Sequence, residues 1–202
     1  MGTVRIIGGQ WRGTRLPVPE IEGLRPSPDR VRETVFNWLQ GVVAGATCLD
    51  LFAGTGAWGF EAASRGAAQV VMIEREPRAL AGLKNTAGKL RATQVEVVAG
   101  DALQWLRRTP ERQFDLAFVD PPYAAGLYQP ALVALLPWLA QDAWIHLEYG
   151  ADSPRPQLPG FAPWREGHTR STRFCLLRRN IGVPGTNLPV TLAPSLGGEP
   201  TT

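Results

Sequence analysis

Cysteine, histidine and methionine are scarce in this sequence, with only two of each in 202 residues. Cys48 and Cys175 both sit inside apolar runs of strand type and read as small core residues. A disulfide framework or a metal site would need more ligands at better spacing, so no metal is expected. No apolar stretch reaches the roughly 20 residues that a membrane helix requires. The start, Met1-Gly2-Thr3-Val4-Arg5, lacks the apolar segment of a secretion signal. These absences lead us to expect a cytoplasmic protein with no membrane partner. Lysine is nearly missing as well: Lys84 and Lys89 are the only two, and the other cations are arginines. Hydrophobic residues form 44% of the chain and charged residues 19%, which excludes a disordered polymer and allows one α/β domain with a small appendage.

The net charge of +3 is modest, but its carriers are unevenly placed. Arg5, Arg12, Arg15, Arg25, Arg30 and Arg32 crowd the beginning, opposed only by Glu20, Glu22 and Asp29. Such a cluster suits contacts with nucleic-acid phosphates. Two short extended runs there, Val4–Ile7 and Thr14–Leu16, flank Gly8-Gly9 and predict a β-hairpin within residues 1–23. Its expected role is to contact nucleic acid, not to complete the fold. Ser27 reads as the N-cap of a following helix and Pro28 as its first residue, with Val31, Val35, Trp38 and Leu39 on one face.

From Thr47 strands and helices alternate. Strands are predicted over 48–52, 70–73, 95–98, 114–119 and 143–147, with helices over 57–65, from Pro77 to about Leu90, and over 129–139, where Pro137 bends or ends the last. Near-continuous apolar strands alternating with helices imply a parallel sheet covered on both faces. The main domain should span 24–180. A proline-rich loop over 153–163 then leads to two extended segments, 164–168 and 173–177, close enough to pair antiparallel. Residues 181–202, rich in Gly, Pro and Thr, read as a disordered tail.

Two motifs carry chemistry. In Asp50-Leu-Phe52-Ala53-Gly54-Thr55-Gly56-Ala-Trp-Gly59, glycines follow a strand and open a helix, so the backbone can turn sharply and approach a ligand closely. Glu74 ends the next strand and could accept hydrogen bonds from two ribose hydroxyls. The pair indicates an adenosine-containing cofactor without saying which, since NAD fits the same spacing. The second motif is Asp120-Pro121-Pro122-Tyr123, at the carboxyl end of the fourth strand of the alternating region. Its prolines stiffen the turn, so the Asp120 carboxylate and the Pro121 carbonyl present two fixed acceptors matching the two N–H donors of an exocyclic amine. Tyr123 offers a flat face for stacking a base.

These motifs, with Arg5-Ile-Ile-Gly-Gly-Gln-Trp-Arg-Gly, Leu24-Arg-Pro-Ser-Pro-Asp-Arg-Val-Arg-Glu-Thr-Val-Phe-Asn-Trp-Leu39 and Gly100-Asp101-Ala102, make the chain resemble the bacterial RsmD-type 16S rRNA (guanine-N2)-methyltransferases from about Val4 to Arg179. The resemblance implies a class I, Rossmann-like methyltransferase fold: a seven-stranded, mostly parallel sheet ending in an antiparallel hairpin. It implies S-adenosylmethionine as the methyl donor and 16S rRNA, within a small-subunit assembly particle, as partner. The cofactor residues would be Asp50, Phe52, Ala53, Gly54, Thr55, Gly56, Glu74, Arg75, Asp101 and Ala102, with Asp101 and Ala102 at the adenine. Trp58 departs from the pattern, which expects a smaller aliphatic residue there. His146 and His168 read as structural, because an aromatic amine becomes acidic once methylated and needs alignment more than a strong base.

Three other readings compete. A DNA adenine-N6 methyltransferase shares both motifs, but no separate target-recognition domain is visible. An NAD-dependent oxidoreductase gives no role to Asp120-Pro-Pro-Tyr123. A non-catalytic RNA-binding assembly factor would have no need of intact motifs.

Overall fold

A computed structural model of the chain describes residues 2–21, 26–122 and 126–179. Arg25, Tyr123 and the predicted tail lie outside the described residues. The N-terminal hairpin pairs β1 (Gly2–Arg5) with β2 (Arg15–Val18). Helix α1 (Asp29–Trp38) leads into β3 (Thr47–Asp50), α2 (Ala57–Ser64), β4 (Gln69–Glu74), α3 (Pro77–Leu90) and β5 (Val95–Ala99). There follow α4 (Ala102–Leu106), β6 (Phe114–Val119), α5 (Tyr128–Leu135), β7 (Leu139–Gly150), β8 (Phe161–His168) and β9 (Thr172–Arg179). The main sheet has the order β5-β4-β3-β6-β7-β9-β8. Its first five strands are parallel, and β9 and β8 add an antiparallel hairpin.

Alternate residues of the central strands feed two apolar layers. Cys48, Val70, Met72, Leu116 and Phe118 face α1 and α2, packing on Val31, Val35, Phe36 and Phe60. Leu49, Leu51, Val71, Ile73 and Val119 face α4 and α5, packing on Trp105, Leu132, Leu135 and Trp138. Both cysteines are fully buried, and burial pushes each thiol up to about 12. No helix of the described residues is long and apolar enough to cross a membrane.

Several elements differ from their sequence readings. Helix α4, too short to show periodicity, was not foreseen; Asp101 caps it by accepting from Gln104 N at 3.0 Å. Strand β7 begins earlier than expected because its register shifts between the Phe114–Leu139 and Leu116–Trp144 pairs, and the exposed Gln141 and Asp142 fall in that irregular stretch. Strand β8 begins at Phe161 and so includes Pro163 from the expected loop. It is an edge strand with a bulge beside that proline, where a missing N–H does no harm. Ser27 does not cap α1: Pro28 holds the cap position and no side chain bonds the helix end.

The hairpin belongs to the core. Val4, Ile6 and Leu16 lie in the layer built by α1 and α2. The fully buried Glu61 carboxylate on α2 accepts from Ile7 N at 2.7 Å and Gly8 N at 2.8 Å. Ser64 donates its hydroxyl to the Gly8 carbonyl at 2.6 Å and accepts from Trp11 N at 2.9 Å. Gly9 has φ +76°, and a Cβ there would lie 1.8 Å from the Ser64 carbonyl oxygen, so only glycine allows this approach. The expected appendage, serving nucleic acid alone, is thus revised: its removal would open one side of the core.

Glu61→Ala should test this. It would leave two part-buried backbone donors without their acceptor and remove the buried carboxylate that the Arg32 guanidinium meets at 3.3 Å. A loss of about 3–5 kcal/mol is expected by urea denaturation. A loss under about 1 kcal/mol would show that the hairpin is held by its apolar residues alone.

Candidate active site

Strand order reverses between β3 and β6: chain segments after β3 build the sheet outward through β4 to β5, while β6 and β7 build it the other way. In an open α/β sheet, loops leaving the carboxyl ends on the two sides of such a point diverge and leave a crevice. Both sequence motifs lead from it, one after β3 and one after β6.

The loop after β3 is stitched to both neighbouring strands. Leu51 N donates to the Phe118 carbonyl at 3.1 Å and Ala53 N to the Ile73 carbonyl at 2.9 Å. Gly54 N donates to Glu74 Oε2 and Glu76 N to Glu74 Oε1, each at 2.7 Å. Gly54 and Gly56, at φ +53° and +76°, make the left-handed turn into α2. Asp50 is buried beneath this turn and accepts from Gly59 N at 2.9 Å. Burial pushes its carboxyl up to about 7, against the Gly59 N–H and with help from Glu74. Asp50 thus shapes the loop from below, while Phe52 is half-buried and Ala53 and Thr55 are buried.

Glu74, Arg75, Asp101 and Ala102 lie at the ends of β4 and β5. Arg75 is exposed, its guanidinium 3.9 Å from Asp101 Oδ2. Ala102 is buried at the start of α4. An adenosine-containing donor fits this donor and acceptor set. Each Glu74 oxygen uses one lone pair on a backbone N–H and retains another for a ribose hydroxyl. Asp101 keeps an oxygen that the helix cap does not use.

The loop after β6 starts at Asp120, with Pro121 buried and Pro122 exposed. The Asp120 carboxylate meets Ser27 Oγ at 3.4 Å, and the same hydroxyl lies 2.5 Å from Glu148 Oε2 on β7. Burial, then Glu148, then Asp50 hold the Asp120 carboxyl well above the ordinary carboxylate range. Tyr128 donates to the Glu148 carbonyl at 2.6 Å, with its oxygen 3.5 Å from the Pro121 carbonyl. Trp58 is buried in an aromatic group, its ring centroid 5.3 Å from Phe118 and 4.2 Å from His146. Its indole N–H makes no ordinary hydrogen bond within the described protein, yet lies near enough to favour ionised Asp120. Burial pushes His146 down to about 3, so it is neutral.

The arginines separate into two kinds. Arg12, Arg15 and Arg30 are exposed, as is Arg5, which donates to Asp29 at 2.6 Å. Arg32, expected among the nucleic-acid contacts, is fully buried. It donates to the Ser27 carbonyl at 3.3 Å, to Glu61 at 3.3 Å, to Asp29 at 2.6 Å and to the Arg5 carbonyl at 2.8 Å. Arg32 therefore organises the protein interior and is removed from the nucleic-acid set. Sequence reasoning missed Ser27 and Glu148 as neighbours of Asp120, and Tyr128 beside the Pro121 and Glu148 carbonyls. For Glu148 the signal was a carboxylate ending an apolar strand, as Glu74 ends another.

The sequence profile of the family described as conserved hypothetical protein 95 matches residues 4–178. The chain belongs to this family. A member named ribosomal RNA small subunit methyltransferase D, from Escherichia coli strain K12, is 44% identical over 162 residues, covering 78% of this chain and 80% of the relative. The Haemophilus influenzae protein of that name is 43% identical, covering 76% and 82%. A solved putative methyltransferase from Escherichia coli superposes with a TM-score of 0.81 at 39% identity, covering 88% of this chain and 98% of that one. The fold is that of class I methyltransferases.

Asp50 generates a test of how this site affects stability. A carboxyl raised from its ordinary 3.8 to about 7 in the folded protein keeps its proton while the unfolded chain releases it. Stability is therefore unaffected below pH 4, falls as pH rises from 4 to 7, and stays reduced above. The full difference is on the order of 4 kcal/mol. Asp50→Asn removes that titration and can still accept from Gly59 N. Wild-type minus variant stability should decline across this window in chemical denaturation, and a difference independent of pH would contradict the assignment.

Proposed function

We propose that this protein transfers a methyl group from S-adenosylmethionine to the exocyclic N2 amine of a guanine in 16S rRNA, acting in the cytoplasm on an assembling small subunit. Family membership supports the coarser part, a methyltransferase of small-subunit ribosomal RNA. The observation that carries the rest is the convergence of two half-sites on one switch point. The Gly54–Gly56 turn with Glu74 leaves β3 and β4, and Asp120-Pro121 leaves the adjacent β6.

When bound, the donor supplies a methyl group on a sulfonium, ready for attack by a nitrogen lone pair. Glu74 accepts from the ribose hydroxyls, Asp101 and the backbone at Ala102 meet the adenine, and Phe52 gives an apolar wall. Asp120 Oδ and the Pro121 carbonyl accept the two N–H groups of the target amine, which aims the lone pair away from them. As positive charge develops on that nitrogen, the Asp120 carboxylate stabilises it and can receive the departing proton. Tyr123 stacks on the base. Exposed Arg5, Arg12, Arg15 and Arg30 contact phosphates, so binding to RNA should weaken steeply with salt.

The decisive assay uses labelled donor with naked 16S rRNA, partly assembled small subunits and duplex DNA, followed by nucleoside analysis. Label in N2-methylguanosine from small-subunit RNA is expected; N6-methyladenine in DNA would replace this reading with the alternative one. In single turnover with saturating donor, Asp120→Ala should slow methylation by roughly a hundred- to a thousandfold, while Asp120→Asn, which can still accept, should be milder. Glu74→Ala should weaken donor binding by on the order of ten- to a hundredfold in calorimetry. Unchanged donor affinity would remove Glu74 from the cofactor site.

A further inference from the structure

Three groups from distant parts of the sequence meet behind the acceptor loop: Ser27 before α1, Asp120 after β6 and Glu148 on β7. Ser27 and Glu148 are buried, at 4% and 3% exposure. The Ser27 hydroxyl has one proton and lies between two carboxylates, 2.5 Å from Glu148 and 3.4 Å from Asp120. The shorter contact assigns that proton to Glu148. Ser27 is itself fixed, since its carbonyl accepts from Arg32 Nε at 3.3 Å. Tyr128 holds the Glu148 backbone from the other side.

We propose that Glu148, held by Ser27, is a positioning residue for the methylation reaction: its negative charge, fixed behind Asp120, raises the affinity of Asp120 for the proton that leaves the target amine. The inference rests on Asp120 being the amine's acceptor, as read above. The longer Ser27 contact touches only Asp120 Oδ2, which leaves Oδ1 outside it. Among the described residues, Glu148 is the leading neighbour of Asp120 by charge. Asp50 comes from the end of β3 and exerts a smaller effect of the same sign. From α2 comes only the uncharged indole of Trp58, and His146 on β7 is neutral. From α5 comes the Tyr128 hydroxyl, bonded to backbone. The Arg32 cation of α1 spends its donors on Glu61, Asp29 and two carbonyls.

The direct test is carbon NMR titration of the aspartate and glutamate carboxyls in the full chain without donor or RNA. In wild type, Asp120 and Glu148 should titrate as a pair in two separated steps. In Glu148→Gln, Asp120 should titrate at least about one pH unit lower, as expected for strongly interacting sites. Single-turnover methylation by the same variant should be slower at neutral pH, by up to about tenfold, while its acid limb moves to lower pH. Ser27→Thr, keeping the hydroxyl, should preserve the wild-type profile, and Ser27→Ala should not. A merely structural Glu148 would slow the reaction without moving either titration. Independent single-step titrations in wild type, or an unmoved Asp120 in Glu148→Gln, would overturn the coupling, and the wild-type arm holds even if the variant fails to fold. A near-normal rate for Asp120→Ala would instead overturn the acceptor reading and with it the catalytic meaning of the coupling, although the NMR shift would stand.

Discussion

Enclosing a guanidinium completely is unfavourable unless its donors all find acceptors, and at Arg32 four different acceptors are supplied. Glu61 comes from α2, Asp29 from the first turn of α1, and the Arg5 and Ser27 carbonyls from the segments on either side of the hairpin's return. The planar fork of arginine can reach these at once, which a single lysine ammonium could not do with the same geometry. Glu61 in turn takes two backbone N–H groups from the hairpin and the Arg65 guanidinium at 2.7 Å. The hairpin, two helices and the residue behind the acceptor loop are thereby fixed by one polar network. A fully satisfied network of this kind specifies one arrangement, since any slip leaves a buried charge unpaired.

The consequence for function runs through Ser27. Its carbonyl is held by Arg32 and its hydroxyl reaches Glu148 and Asp120, so the N-terminal segment ends at the loop after β6. The segment the sequence marks as basic therefore has two faces. Its exposed arginines can meet phosphates, while its buried arginine joins the position of the hairpin to the position of the acceptor carboxylate. The arginines proposed to meet RNA and the carboxylate proposed to meet the target amine are kept in register because they share this anchor.

The centre of the sheet was legible because strands such as β4 and β6 are apolar runs whose two faces are both buried, a pattern that needs no partner to be recognised. The glycine turn, Glu74 and Asp120-Pro121 were legible because a local arrangement, strand end followed by turn, fixes what they face. Ser27 and Arg32 were misread for one reason. A serine before a helix and an arginine among arginines have an adequate local explanation, as a cap and as surface charge. Their actual partners lie far away, 121 residues on for Ser27 to Glu148 and 29 for Arg32 to Glu61. Glu148 was overlooked because an acid at the end of an apolar strand gains meaning only when the neighbouring strand is known. Helix α4 and the early start of β8 escaped for lack of length and because of Pro163.

Trp58 bears on how a weak base can suffice. Its ring, with Phe118, Phe36 and the neutral His146, packs an uncharged aromatic floor close to the Asp120 carboxyl. Charges above such a floor are poorly screened, so the repulsion that Glu148 and Asp50 exert on Asp120 is felt more strongly than it would be in water. An aspartate that would be a feeble proton acceptor in solution becomes a better one here, while the nearby His146 imidazole stays neutral. The same enclosure destabilises the protein wherever it keeps a carboxylate from water, as at Asp50. That cost falls where the sheet opens, and the buried polar network on the hairpin side holds the fold closed around it.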